Sequence, residues 1–436
     1  MTNPTLEFIL ANLTEVDLDT VSTIKPTHCS SFSDLIDICR RGDGKNGMTV
    51  TQSFEDCLAL CLAASVSIRL QGDPLWFYLV GAASSGKSTI CDMICAAERW
   101  TIPLSRFTGI VSGRIGSKNL IEILNGKLAV INDGTLMLES RTEIIHDVLG
   151  ELREIYGGSF HAHYRNDRTA IYKDIAFGMI IAITEAIYKI KVASLGERFL
   201  HIRLESDRQT EIQRNKSAAR YFLEEIDLIT PETGINTMFN IQKTTCAGFI
   251  QHIQRMIDKQ PIIRPEYTEE DLDLIQYAAD VVACSRADAA RSKQDDIMYH
   301  SRPESSTRVV KQLSRTIVCL CYVFGVHEVT PVIRRLIAKV CLDSSFGRQS
   351  RVISNICTMN DGEGVQRHEL SMASDLPMQS VIRIINDLAS LGIVKRGKEE
   401  SRHDIGRRSE IVYCVDWVRT AFQYINNHRY GYEETY

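Results

Sequence analysis

Apolar residues along this chain change their spacing several times, and each change marks an element. Apolar runs occur at Leu75–Val80, Leu128–Ile131 and Met179–Ile183 and, interrupted by His201 and Arg203, at Phe199–Leu204, with a weaker one at Thr101–Leu104. Short runs without alternation suit strands buried on both faces, as in a mainly parallel sheet covered by helices. Ahead of them, Phe54, Leu58, Leu60, Cys61, Ala64 and Val66 recur at helical spacing and predict a helix over Ser53–Leu70. From Asp207 to Val326 the pattern is helix-rich and polar, and Thr268-Glu-Glu-Asp-Leu-Asp273 reads as a solvated face or a helix start. The runs Ser159–Tyr164 and Thr169–Lys173, joined by the polar tip Arg165-Asn-Asp-Arg168, predict a hairpin.

The last hundred or so residues differ in character. Short helices are expected at Phe346–Thr358 and Glu369–Ser374, then a longer one at Pro377–Leu391 with Val381, Ile384, Ile385, Leu388 and Leu391 on one face. Gly392, a strand at Ile393–Lys395, a basic loop and a second strand at Ile411–Val415 follow. That order describes a winged helix-turn-helix. At the other end, Met1 to about Met48 reads as a small, weakly helical leader ending in the turn-rich Arg41-Gly-Asp-Gly-Lys-Asn-Gly47.

Composition narrows the class. A chain of 436 residues accommodates two or three domains. The formal net charge of −5 means that any nucleic-acid contact must come from local basic patches, not overall attraction. The 13 cysteines include no C-x-x-C pair, which argues against zinc and for reduced thiols in the cytoplasm. No charged-then-apolar leader and no run of membrane-spanning length is present, so a soluble protein without a membrane partner is expected.

The strongest chemical signal follows the first apolar run. Gly81-Ala82-Ala83-Ser84-Ser85-Gly86-Lys87-Ser88, continued by Thr89, fits the phosphate loop G-x-x-x-x-G-K-[ST]. Its glycines let backbone N–H groups turn inward, and the helix that begins near Lys87 adds its positive dipole end. Lys87 would reach the β- and γ-phosphates of a nucleoside triphosphate and the Ser88 hydroxyl would ligate Mg²⁺. The alternative, an ordinary Gly/Ser turn, does not account for a strand before it and a helix after it. ATP and Mg²⁺ are therefore the expected cofactors.

Three further positions extend the site. Leu128-Ala-Val-Ile131-Asn132-Asp133 is an apolar strand ending in a carboxylate that can hold the Mg²⁺ shell beside Ser88; otherwise Asp133 is a surface residue at a strand end. Thr184 ends the strand Gly178–Thr184 and can sense the γ-phosphate or orient water; otherwise it caps. Arg198, in Leu195-Gly-Glu-Arg198-Phe199, is placed to project into a neighbouring subunit's nucleotide as an arginine finger, or else is a salt-bridged surface residue.

This order of elements resembles the AAA+ ATPases, and most of all the helicase-type members of phages and mobile elements that are relatives of the minichromosome maintenance helicases. Ser112-Gly113, Asn132-Asp133, Glu151-Leu-Arg153-Glu-Ile-Tyr156-Gly157-Gly158 and Gly196-Glu-Arg-Phe199 carry the likeness, which spans about Ser53–Cys321. The resemblance implies an α/β fold: a P-loop AAA+ three-layer αβα domain with a helical lid, plus the C-terminal winged helix-turn-helix. It divides the chain into a leader (1–48), a nucleotide-binding core (49–205), a helical lid and linker (206–340) and a winged-helix domain (341–436). It makes Arg198 the finger, Thr184 sensor 1 and Arg308 the candidate sensor 2. One departure stands out. Many AAA+ enzymes follow the Mg²⁺-binding Asp with a Glu that polarises water, whereas Asp133 precedes Gly134, leaving Glu139, Glu143, Glu151 and Glu185 as candidates for the base.

In the helicases it resembles, a hairpin at residues 159–173 projects into a central pore. Arg165, Arg168 and Lys173 would then meet phosphates of single-stranded DNA, with Tyr164 or His163 stacking on bases; the alternative is a hairpin that only packs on the next subunit. In the winged helix, Arg383 on the recognition helix and Lys395, Arg396, Lys398, Arg402, Arg407 and Arg408 in the wing suit DNA contact, although such domains also bind proteins. The expected function is an ATP-dependent DNA motor, a ring-forming, hexameric helicase. The alternatives are an ATP-switched DNA-binding or initiator protein without unwinding, and a signalling or defence ATPase.

Overall fold

The computed structural model describes residues 25–41, 50–104, 114–115, 118–135, 142–163, 169–189, 198–220, 223, 237–259, 262–287, 289, 303, 305–362, 364–398 and 410–430. The chain forms two compact units, one of residues 1–190, 198–264 and 318–327, the other of residues 191–197, 265–317 and 328–436.

The first unit contains the strands β1 (Trp76–Val80), β2 (Thr101–Leu104), the two-residue β3 (Arg114–Ile115) and β4 (Lys118–Asn119), β5 (Leu128–Ile131), β6 (Ser159–His163), β7 (Thr169–Lys173), β8 (Gly178–Ile183) and β9 (Leu200–Arg203). Five of these form one parallel sheet in the order β2-β5-β8-β1-β9. Every residue of β1, β5 and β8 is buried, as the non-alternating apolar runs require. β6 and β7 form the expected antiparallel hairpin, and β3 pairs with β4 in a smaller one that the apolar pattern did not signal. Asn119 of β4 donates a 2.7 Å hydrogen bond to the Tyr172 hydroxyl on β7, which ties the two hairpins together.

Two helices pack on the sheet, Gln52–Ser67 and the helix Lys87–Cys95 that follows the glycine-rich loop after β1. Thr51 caps the first by accepting a 3.2 Å hydrogen bond from the Phe54 amide. Its polar residues Ser65 and Ser67 are buried yet satisfied, each donating to a carbonyl three residues back. The helix stops before Leu70 because the Ser67 hydroxyl also accepts from the Leu75 amide at 2.9 Å, turning the chain into β1. Part of the leader belongs to this unit. Residues 25–31 cross the helix Thr237–Lys259, where the Thr27 amide donates to the Thr244 carbonyl at 2.9 Å. The helix Phe32–Arg41 follows, with Phe32 against Phe249 and Phe324.

The second unit contains β10 (Val365–Gln366), β11 (Val394–Lys398) and β12 (Glu410–Cys414), an antiparallel sheet in the order β10-β12-β11. The helices Gly347–Thr358, Arg367–Ser374 and Met378–Ser390 pack around it. β11 runs further than the sequence pattern indicated. Lys395 to Lys398 pair with Tyr413 to Glu410, so Lys395, Arg396 and Lys398 lie in strand, not loop. Glu269–Arg286, Pro331–Ser344 and Asp416–Tyr430 form a further helical layer. In that layer the acidic run at Thr268 is a helix start with a reciprocal capping box: Thr268 Oγ1 accepts from the Asp271 amide and Asp271 Oδ2 from the Thr268 amide. Asp271 is not on a solvated face. It is buried and receives two hydrogen bonds from Arg334, at 2.6 and 3.2 Å.

All thirteen cysteines are free thiols, twelve of them buried. Burial pushes Cys39 and Cys95 up to about 12, which keeps them protonated and unreactive at neutral pH. No helix among the described residues is long and apolar enough to cross a membrane.

Candidate phosphate-binding site

The loop between β1 and the helix Lys87–Cys95 owes its shape to two left-handed residues. Ser84 has φ of 60° and Gly86, the helix N-cap, has φ of 101°. The second value is strained for any side chain, which is why glycine stands there. The turn carries Lys87 back over its own loop, where Nζ donates to the carbonyls of Gly81 at 2.8 Å and Ala82 at 2.6 Å. Lys87 is buried, and burial pulls its ammonium below the ordinary value while the nearby Asp133 carboxylate opposes that shift. Ser88 is exposed and Thr89 half-buried in the first turn of the helix.

Strand register brings the other candidates to the same edge. Val80 pairs with Ile183 of β8, and the Gly81 amide donates to the Ile183 carbonyl at 3.2 Å, so Thr184 stands beside the start of the loop. Ile131 of β5 pairs with Ile181, which puts Asp133 level with Ile183 and hence with Val80. β8 therefore lies between the strand that delivers Lys87 and the strand that delivers Asp133, with half-buried Thr184 at its tip. Asp133 is held by a 2.9 Å hydrogen bond from the Thr135 amide to Oδ1. Next to it, Asn132 Nδ2 donates to Asp92 Oδ1 at 2.7 Å, tying the end of β5 to the helix that follows the loop.

Gly134 is there for a steric reason. Its amide donates to the Ala182 carbonyl at 2.7 Å, and a Cβ at this position would lie 2.5 Å from Ile181 Cγ2. A side chain here must push Ile181 aside, so position 134 is a crowded place from which to present a carboxylate.

A triphosphate fits these groups chemically. Ser85 Oγ is buried inside the loop with no hydrogen-bond partner among the described residues, and such a group is satisfied by an anionic oxygen. The open amides of the loop and of the first helical turn supply further donors. Lys87 would neutralise phosphate charge, and Ser88 with Asp133 would hold Mg²⁺.

Other sequence-derived candidates lie elsewhere. Arg198 precedes β9, in which Leu200 pairs with Phe77, so it stands level with Leu75 at the opposite edge of the sheet. Six residue steps of ~3.3 Å separate those levels, roughly 20 Å from the loop along the strands. There its guanidinium lies 5.8 Å from the Tyr156 ring centroid, beside an aromatic cluster in which Trp76 meets Tyr156, Phe177 and Phe199. Arg308 is half-buried on the helix Thr307–Phe324, in the part assigned to the second unit.

Among the DNA candidates, Lys173 is exposed at the end of β7, Arg383 is exposed on the helix Met378–Ser390, and Lys395 is exposed on β11. Arg396, also on β11, donates to Asn386 of that helix. Burial, with Arg367 close by, pulls the Arg396 guanidinium below its ordinary value. Lys398 ends β11, and its side chain, like Arg165, Arg168, Arg402, Arg407 and Arg408, lies outside the described residues. Sequence reasoning missed the Glu185–Arg203 ion pair at the same edge as the loop, 2.8 Å from Oε1 to Nη2. Only the pairing of both β8 and β9 with β1 brings these two residues together. No family model and no curated protein sequence matches this chain.

Proposed function

We propose that the chain is an ATPase of the AAA+ kind that works as a ring-forming DNA motor. The observation that carries this reading is the position of β8 between β1 and β5. A strand tip bearing Thr184 beside both Gly81 and Asp133 supports a sensor that contacts the γ-phosphate between the lysine and the metal-binding carboxylate. Arg198 supports assembly. A guanidinium at the far edge of the sheet is out of reach of its own chain's loop, and a neighbouring copy is what it can serve, completing the charge stabilisation in trans.

The C-terminal unit supports the DNA side of the reading. Its order of helix, short strand, two helices and two longer antiparallel strands supports a winged helix, with Arg383 and Lys395 exposed on the elements that meet a duplex in such domains. In the first unit, the hairpin β6–β7 offers Lys173 to a single strand.

A second reading, an ATP-switched DNA-binding protein that does not unwind, is favoured by Gly134, since no carboxylate adjoins Asp133. Strand displacement separates the two. Turnover should rise steeply with protein concentration and with single-stranded DNA, and Lys87→Ala should abolish ATP binding. Specific activity that stays constant on dilution would contradict a site shared between copies.

A further inference from the structure

A hydrolytic site needs a group that orients water and takes its proton. Asp133 faces the magnesium role, and position 134 is closed by Ile181. Of the carboxylates singled out in the sequence, Glu139 and the side chain of Glu143 lie outside the described residues. Glu151 stands four residues before the end of the helix Thr142–Ile155, after which Tyr156 packs on Trp76 at the start of β1. At 1.5 Å per residue it is only about 6 Å from that end, on the side of the sheet away from the loop. Glu185 is placed differently. It directly follows Thr184 at the loop edge and opens a short 3-10 turn. Its Oε1 accepts from Arg203 Nη2 at 2.8 Å, and Arg203 is the last residue of β9. Because Ile183 and Arg203 both pair with Val80, this ion pair spans the end of β1 where the phosphate loop begins. The Arg203 guanidinium is steadied by the Tyr188 ring, 5.8 Å from its centroid. Both partners remain open to solvent, with side-chain exposures of 38% for Arg203 and 59% for Glu185. Such a pair adds little to folding stability.

We infer that Glu185 is the general base of this site and that Arg203 is its positioning residue. The inference rests on the ATPase reading above. Glu185 takes a proton from water as the water oxygen bonds to the γ-phosphorus. The bond from that phosphorus to the bridging oxygen breaks, ADP leaves with its electron pair, and Glu185 then releases the proton to solvent. A base just beyond the sensor strand substitutes for one at the crowded position after Asp133.

The test uses the full chain, with equilibrium binding of a fluorescent ATP analogue and steady-state ATP turnover measured side by side. Glu185→Gln should bind the analogue within about threefold of wild type and melt at the same temperature, while kcat falls at least about 100-fold. Glu185→Asp should fall in between, and Glu151→Gln should match wild type. A Glu185→Gln kcat within about tenfold of wild type overturns the assignment, as does a loss that appears only as weaker binding. Failure of the wild-type chain to bind the analogue overturns the phosphate-site reading and this inference together; binding with unchanged Glu185→Gln turnover overturns this inference alone.

Discussion

Replacing Gly134 tests the geometry of the site most directly, because the outcome opposes what a motif-based argument would expect. Restoring a carboxylate after Asp133 looks like a gain of function. The structure predicts a loss. An added Cβ would meet Ile181 Cγ2 at 2.5 Å, Ile183 Cδ1 at 3.3 Å and the Ala182 carbonyl oxygen at 3.3 Å. Carbon contacts are comfortable at about 3.5–4.0 Å, so about 1 Å must be found at the closest one. It is hard to find. Ile181 is β-branched and stiff at χ1, and β8 is clamped between β1 and β5. The Ala182 carbonyl is held by the Gly134 amide itself, at 2.7 Å. Overpacking of this kind costs about 1–3 kcal/mol for Gly134→Ala. For a unit of this size that corresponds to a fall in Tm of about 2–10 °C. Gly134→Glu should cost more, since its carboxylate would emerge toward Ile181 and Ile183, where burial without a partner is penalised. Thermal and urea unfolding followed by circular dichroism, with ATP turnover on the same samples, measures both effects. A Gly134→Ala chain that melts within about 1 °C of wild type, or a Gly134→Glu chain that turns over faster, would refute the reasoning.

Three other consequences can be checked. Arg334→Leu leaves the buried Asp271 carboxylate without its bidentate partner and should destabilise the C-terminal unit by about 3–5 kcal/mol in denaturant unfolding; a change under about 1 kcal/mol would show the pair to be unimportant. The same pair predicts the acid response. Burial alone would raise the Asp271 carboxyl, but hydrogen bonds from Arg334 and Thr268 hold it below the usual carboxylate range. The unfolded chain therefore binds more protons in acid, so this stabilisation is complete above the ordinary carboxylate value and disappears as pH falls through the lower folded one. The acid limb of the stability profile should flatten in Asp271→Asn. Finally, a Cβ at Gly248 would sit 1.7 Å from the Thr27 carbonyl oxygen, so Gly248→Val should unseat residues 25–31 and speed chymotryptic cleavage after Phe32, which packs on Phe249; an unchanged digestion rate would mean that the strap is not held there.

Much of the site was legible in the sequence because its requirements are local. The apolar run before Gly81, the glycine at a left-handed helix cap and the lysine after it lie within a dozen residues, and their conformations follow from sterics and hydrogen bonding along one stretch of chain. The same holds for β5 with Asp133, β8 with Thr184 and the hairpin β6–β7, whose bounds the apolar pattern matched closely. Less was legible at Thr268–Asp273. The helix start could be read, yet the burial of Asp271 depends on Arg334, more than sixty positions along the chain. The leader was unreadable for the same reason, since residues 25–41 find their partners on a helix that begins at Thr237.

By itself, then, the sequence determined where strands, helices and the glycine-rich turn after β1 would form, since those depend on neighbours along the chain. Tertiary structure alone decided that β8 lies between β1 and β5, that a side chain at Gly134 would collide with Ile181, that Arg198 stands at the far edge, and that Glu185 meets Arg203 across the end of β1. Each of these is a relation between strands that compete for the same sheet positions, and only the packed sheet, by joining five strands in one order, selects among them.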